Sequence, residues 1–284
     1  MTTHPPRGVL ALPLHMERHG EGRSSIVLLH GYAGSSFSWR YWIPSLAARH
    51  EVWALDLKGH GSAPAPPDDD YSPHDHAELV YRFILQKDLR DLTLFGHSMG
   101  GGIALLVALR LLDQGRLRRL VLVASAAYPQ RLPPFVKLAR TGRWAQWLFA
   151  LVPKRRLIGW VLRSIVYDPS NISGAQIEGY AEPLRSAPHR LALIKTAQAI
   201  VPPDLGEMTA RYSEIDVPTL LLWGRHDGVV PLSVAHELAK TLPRATLEVL
   251  EECGHLPPEE LPHASLEIVE RFLGGDISGA PTHT

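Results

Sequence analysis

The chain has one cysteine, Cys253, in 284 residues, so it has no internal disulfide. It also lacks excess charge: 29 Lys and Arg balance 29 Asp and Glu, leaving no overall pull toward nucleic acid. No apolar run is long enough to span a bilayer; the longest uncharged stretch, Phe95 to Leu109, is short and rich in glycine. The opening residues, MTTHPPRGVLALPLHMERHGEG, show no sustained apolar core of a signal peptide. Together these absences lead us to expect a cytoplasmic, reducing setting. Acid is missing locally as well. From Gln114 to Tyr167 there is no Asp or Glu, while Lys and Arg recur from Arg116 to Arg163.

The length suffices to bury a core without disulfides or a structural metal. Short apolar runs at 26–30, 51–56, 92–95, 120–124, 219–223 and 246–250 alternate with helix-like stretches at 39–48, 73–86, 99–113, 231–241 and 259–273. Most runs are continuously apolar, the pattern of strands covered on both faces. The alternation predicts an α/β fold, a mostly parallel central sheet flanked by helices. Residues 128–216 break it, with many prolines, helical patterns and no clear strand. This segment reads as an inserted helical cap, with 1–127 and 217–284 forming the core domain. Within it Trp144, Trp147, Leu148 and Leu151 fall on one helical face.

The segment LTLFGHSMGGG (92–102) runs an apolar strand into a serine flanked by glycines and then into a helix pattern. Gly96-His97-Ser98-Met99-Gly100 fits G-x-S-x-G in the strand–turn–helix setting that motif requires. A serine hydroxyl becomes a useful nucleophile only when a base takes its proton, and the base needs an orienting acid. Asp227 follows the strand LLLW and His255 follows the strand LEVL, so both stand past the C-terminal ends of later strands. The strand before the insertion ends VASAA and offers no acid, and Asp216 precedes its strand. Cys253 reads as a packing residue. In DDDYSPHDHAE, Ser72, Pro73 and Asp75 form a helix start, which explains the cluster around His74 and His76 without a metal.

Five segments, HGYAGSS, DLKGHGSAP, GHSMGG, GRHDGVVP and GHLPPEELP, together resemble the α/β-hydrolase superfamily over about residues 9 to 273. The resemblance implies the order Ser98, Asp227, His255 as nucleophile, acid and base, and an oxyanion hole from the backbone N–H groups of Tyr32 and Met99. It implies no cofactor. A serine at this position separates the chain from haloalkane dehalogenases and epoxide hydrolases, which use aspartate. The expected function is a carboxylesterase-type serine hydrolase acting on a small-molecule ester. C–C hydrolases of the meta-cleavage type, perhydrolases, lyases and non-catalytic binding modules are the alternatives on the same fold. GYAGSS and Leu256, where meta-cleavage enzymes carry a Gly-Pro-Gly-like loop and a tryptophan, weigh against the first of these.

The expected pocket draws on His30, Gly31, His97 and Leu256 around the serine and on Phe135, Trp144, Trp147 and Trp160 from the cap. Its apolar, aromatic character predicts short-to-medium acyl or aromatic esters. His30 and His97 are expected to hydrogen-bond loops. The cations of the acid-free stretch are expected to pair with the acidic C-terminal third; contact of the basic cap with an anionic membrane is the competing reading.

Overall fold

A computed structural model describes residues 12–142, 144–145 and 151–275. Among them the strands β1 (His15–His19), β2 (Ser25–Leu29), β3 (Glu51–Asp56), β4 (Leu92–His97), β5 (Leu117–Val123), β6 (Thr219–Gly224) and β7 (Ala245–Leu250) form one sheet, ordered β1-β3-β2-β4-β5-β6-β7. Every pairing is parallel except β1 on β3. The helices are α1 (Ile43–Ala47), α2 (Pro73–Gln86), α3 (Met99–Leu111), α4 (Pro134–Ala139), α5 (Lys154–Ile165), α6 (Gly174–Ala181), α7 (Ala187–Ala199), α8 (Leu205–Ala210), α9 (Leu232–Thr241), α10 (Pro257–Glu260) and α11 (Pro262–Gly274).

The inner strands are largely apolar because each feeds two cores. Val27, Leu29, Leu94, Leu122 and Trp223 pack on one face with α2, α3 and α9. Ile26, Leu28, Phe95, Val123 and Leu222 pack on the other with Trp39, Trp42 and α11. Alternate side chains of one strand point to opposite faces, so both faces must be greasy. Helix α3 lies behind β4 and is buried nearly all round.

Two expected helices are broken by proline. The 39–48 helix is instead a 3₁₀ turn at Ser36–Trp39 and the short α1, since Pro44 cannot donate back into the preceding turn. The 259–273 helix is split into α10 and α11 at Leu261, which Pro262 pushes out of the helical region to φ −131° and ψ 62°. Strand β1, HMERH, had no apolar signal: it is an edge strand with alternating partial exposure. Ser72 does cap α2, its hydroxyl accepting from the Asp75 N–H.

Helices α4 to α8 come between β5 and β6, and the described residues of 128–216 contain no strand. Most of the expected helical face through Trp147 and Leu148 lies outside the described residues. Among the described residues, the ion pairs of the acid-free stretch's cations are made outside the C-terminal third rather than with it as expected. Arg116 and Arg118 pair with Asp88 and Asp91, and Arg155 with Glu178, because β5 and α5 bring those carboxylates alongside.

Candidate active site

Ser98 sits on the sharp turn between β4 and α3, with φ 54° and ψ −121°. A side chain at positive φ is strained, so the surroundings must hold it. Its N–H donates to the Val123 carbonyl at 3.0 Å, and its own carbonyl accepts from Gly101 and Ala126 N–H groups, each at 3.0 Å. The turn is also too tight for side chains beside it. A Cβ on Gly96 would lie 2.4 Å from the Gly100 oxygen, and one on Gly100 would lie 2.4 Å from the Leu29 and His30 oxygens. Glycine at both positions is therefore a steric requirement of the corner.

Past β6 and β7 the chain supplies the partners. His255 Nε2 stands 3.0 Å from Ser98 Oγ, and His255 Nδ1 stands 2.8 Å from Asp227 Oδ2. The other Asp227 oxygen accepts from the N–H groups of Val229 at 2.8 Å and Val230 at 2.9 Å. Asp227 is thereby fixed, buried and satisfied. With Asp227 accepting from Nδ1–H, the Nε2 of a neutral His255 is left to accept from the serine hydroxyl. The arrangement can take a proton from Ser98 and hold the imidazolium that results.

Two further histidines support this chain of hydrogen bonds. His97 donates from Nε2 to the His255 carbonyl at 2.8 Å, and its ring lies 4.9 Å from the His255 ring. Burial, with the His255 ring beside it, pushes its pKa down to about 3, so it stays a neutral donor. His30 accepts the Leu57 N–H at Nε2 (3.0 Å), which leaves Nδ1–H to donate to the Gly31 carbonyl at 2.8 Å. Burial likewise lowers its pKa. His30 thus anchors the turn Gly31–Gly34, closed by a 3.0 Å bond from Gly34 N–H to Gly31 O. That turn lies against the nucleophile: a Cβ on Gly31 would be 3.0 Å from Ser98 Cβ. The N–H groups of Tyr32 and Met99 have no acceptor among the described residues, and Tyr32 and Met99 both line the cavity that begins at Ser98.

That cavity is about 290 Å³ and runs beneath the helical insertion. Leu132, Phe135, Ile158, Trp160, Leu193 and Met208 are on its wall, with Gly31, His97 and Leu256 near the serine. No Asp, Glu, Lys or Arg is on the wall among the described residues. Four tyrosines line it with their hydroxyls already engaged: Tyr32 with Leu193 O, Tyr128 with Thr241, Tyr180 with Ser38, Tyr212 with Ala127 O. Two expected pocket residues do not line it. His30 lies behind the Gly31 turn with both ring nitrogens engaged, and Trp144 is 77% exposed at the surface. Trp147 lies outside the described residues. Cys253 is buried, and burial together with Glu260 and Asp227 pushes its thiol pKa far up, so it has no thiolate character.

Two acids that sequence reasoning did not assign hold the site together. Glu260 accepts from the N–H groups on either side of His255, Gly254 and Leu256, each at 2.9 Å, and from Tyr167 N–H at 2.7 Å. The His255 N–H itself donates to the Ile165 carbonyl at the end of α5 (2.8 Å). Glu259 is buried against the Arg40 guanidinium at 2.6 Å, the Gln176 amide at 2.9 Å and the Tyr180 hydroxyl. The only sequence signal for either acid was its place in GHLPPEELP.

The fold and this constellation define a class, and comparison with known proteins agrees. The model of the alpha/beta hydrolase family matches residues 26–268, and the chain belongs to that family. It is 30% identical over 257 residues to an uncharacterised hydrolase of Bacillus subtilis (strain 168), covering 89% of this chain and 90% of that protein. It is 25% identical to a 2-hydroxy-6-oxononadienedioate/2-hydroxy-6-oxononatrienedioate hydrolase of Cupriavidus pinatubonensis, over 92% of this chain and 90% of that one. Among solved structures it is similar to a thermophilic esterase from Thermogutta terrifontis, with TM-score 0.74, 25% identity and 92% of each chain covered. Among the described residues no helix is long and apolar enough to cross a membrane.

Proposed function

We propose that the protein is a serine esterase whose nucleophile is Ser98, base His255 and orienting acid Asp227. The observation that carries this is the Ser98–His255–Asp227 hydrogen-bond chain opening into a cavity with no charged side chain on its described wall. Ser98 Oγ attacks the ester carbonyl while its proton passes to His255 Nε2. The oxyanion forms between the Tyr32 and Met99 N–H groups, donors worth on the order of 3 kcal/mol each in the transition state. Collapse expels the alcohol oxygen, which takes the proton from His255. Water then attacks the acyl-serine, His255 receives its proton and returns it to Ser98, and the acid leaves. The helical insertion acts as a cap that shapes the substrate site.

At about 290 Å³ the cavity lies near the lower end of small-ligand pocket sizes. That favours acyl chains of medium length over acetate and over long fatty chains. The Cupriavidus relative supports a second reading, hydrolysis of a dioate. It would bring two carboxylates against a described wall without a cation, which argues against it.

Initial rates on p-nitrophenyl esters of increasing acyl length test the reading. We expect an optimum at intermediate length and a loss of at least ~10³-fold for Ser98→Ala. If no ester is turned over while a fluorophosphonate still labels Ser98, the triad stands and the ester assignment fails.

A further inference from the structure

The rim of the cavity is apolar where an opening onto water would ordinarily be polar. Leu138 of α4, Trp160 of α5 and Val201 after α7 line the cavity yet remain 40%, 56% and 45% exposed. Trp144 and Leu151, in the chain between α4 and α5, are each 77% exposed. Leu138, Trp160 and Val201, large apolar side chains that are at once on the cavity wall and open to solvent, mark a surface that meets something other than water.

The charge beside them has one sign. Lys137 and Arg140 flank Leu138, and Arg156 and Arg163 lie one turn before and one turn after Trp160 on the same face of α5. All four are exposed, and none has a carboxylate partner among the described residues. Several acids of the insertion are drawn off elsewhere. Glu178 and Glu182 pair with Arg155 and Arg185, Asp204 with His74, and Glu214 with Arg211. Three exposed acids of the insertion remain without a cation partner among the described residues: Glu207 of α8, Asp216 before β6, and Asp168 past the end of α5, whose carboxylate accepts from Ser170 instead.

We propose that this rim docks on an anionic phospholipid bilayer, so that an apolar ester passes from the lipid into the cavity without crossing water. Cations among exposed tryptophan and leucine match the two layers of a bilayer surface. The ammonium and guanidinium groups meet headgroup phosphates, and the indole rings settle at the boundary with the acyl chains. The mouth of the cavity then opens within that boundary. What is delivered rests on the ester reading; the docking does not, and it is measured without turnover.

The test is sedimentation with vesicles of phosphatidylcholine alone or mixed with phosphatidylglycerol. The wild type is expected to sediment with the anionic vesicles only and to be released by high salt. Each cation near such a surface is worth about fivefold in partitioning, so the Lys137→Gln, Arg140→Gln, Arg156→Gln triple variant should bind about a hundredfold more weakly. None of the three lines the cavity, so its rate on a soluble ester should stay within about twofold of wild type. Trp160→Ala should weaken docking as well. Failure to sediment with anionic vesicles, equal sedimentation with both kinds, or a triple variant that binds like wild type would each overturn the proposal. Docking without ester turnover would leave it standing and remove the ester assignment instead.

Discussion

Glu260 shows how a candidate active site can be held by a residue set back from its cavity. One carboxylate accepts from the peptides on both sides of His255 and from the insertion at Tyr167, so it sets where the His255 ring stands over Ser98. A displacement of the base by about 1 Å can cost on the order of 100-fold in rate. Glu260→Gln replaces an acceptor with an NH₂ that faces a backbone N–H and must push the loop aside. The expected result is a fall in kcat of roughly 10- to 100-fold with KM within about twofold. Steady-state kinetics on a soluble ester decide it: equal changes in both constants, or none, would deny the positioning role. Ser98, Asp227 and His255 were legible in the sequence because each stands in a short local pattern beside a strand. Glu260 was not, although it lies in the same string as His255, because its partners depend on how the turn through α10 folds back.

Among elements, the contact that joins α10, α6 and the turn before α1 is ionic and buried. Glu259 has a side chain only 2% exposed, and burial pushes its pKa up while Arg40 holds it down. Arg40→Ala would leave that carboxylate without its cation. Removing one partner of a buried pair costs about 3–5 kcal/mol; with Arg40 itself partly exposed, about 2–4 is expected near pH 7.5. The unpaired carboxyl then has a folded pKa above its unfolded one. It is therefore destabilising above that pKa and relieved as pH falls and the proton is taken up. Denaturant melts of wild type and Arg40→Ala at pH 7.5 and pH 5 should show the gap narrowing; a constant gap would mean that Glu259 is not the group left stranded. Arg40 and Glu259 are remote in sequence, so nothing local announced the pair. The same distinction runs through the fold. β2 to β6 were legible because apolar runs report burial on both faces, and β7, an edge strand only partly buried, was legible because it still carries Leu247, Val249 and Leu250. β1 was silent because an edge strand needs no such run, and the prolines that cut two helices acted on register that periodicity alone does not carry.

At the scale of the whole molecule, four histidines besides His255 are enclosed with almost no access to water: His30, His60, His76 and His97. Burial lowers the pKa of each, to about 3 for His60 and His97. His60 stands between two of the others, with ring centroids 5.4 Å from His30 and 5.8 Å from His76, so charging one opposes charging the next. In the unfolded chain these residues titrate near the ordinary value of about 6.5. Below that pH the unfolded state binds protons that the folded state refuses, so stability falls as pH drops from about 6.5 toward 5. Each histidine adds up to about 1.4 kcal/mol per pH unit to the slope, and four together up to about 5. Thermal unfolding from pH 7.5 to 5 should show this fall, and calorimetry in buffers of different ionisation enthalpy should show uptake of several protons on unfolding near pH 5. His76 gives the sharper check. Both of its ring nitrogens are buried without a hydrogen-bond partner among the described residues. His76→Leu removes two unsatisfied polar atoms and one proton site, so it should lower the proton uptake by about one and flatten the acid limb without loss of stability at pH 7.5. Unchanged uptake in that variant would place the acid sensitivity in the carboxylates and leave the buried histidines without a part in it.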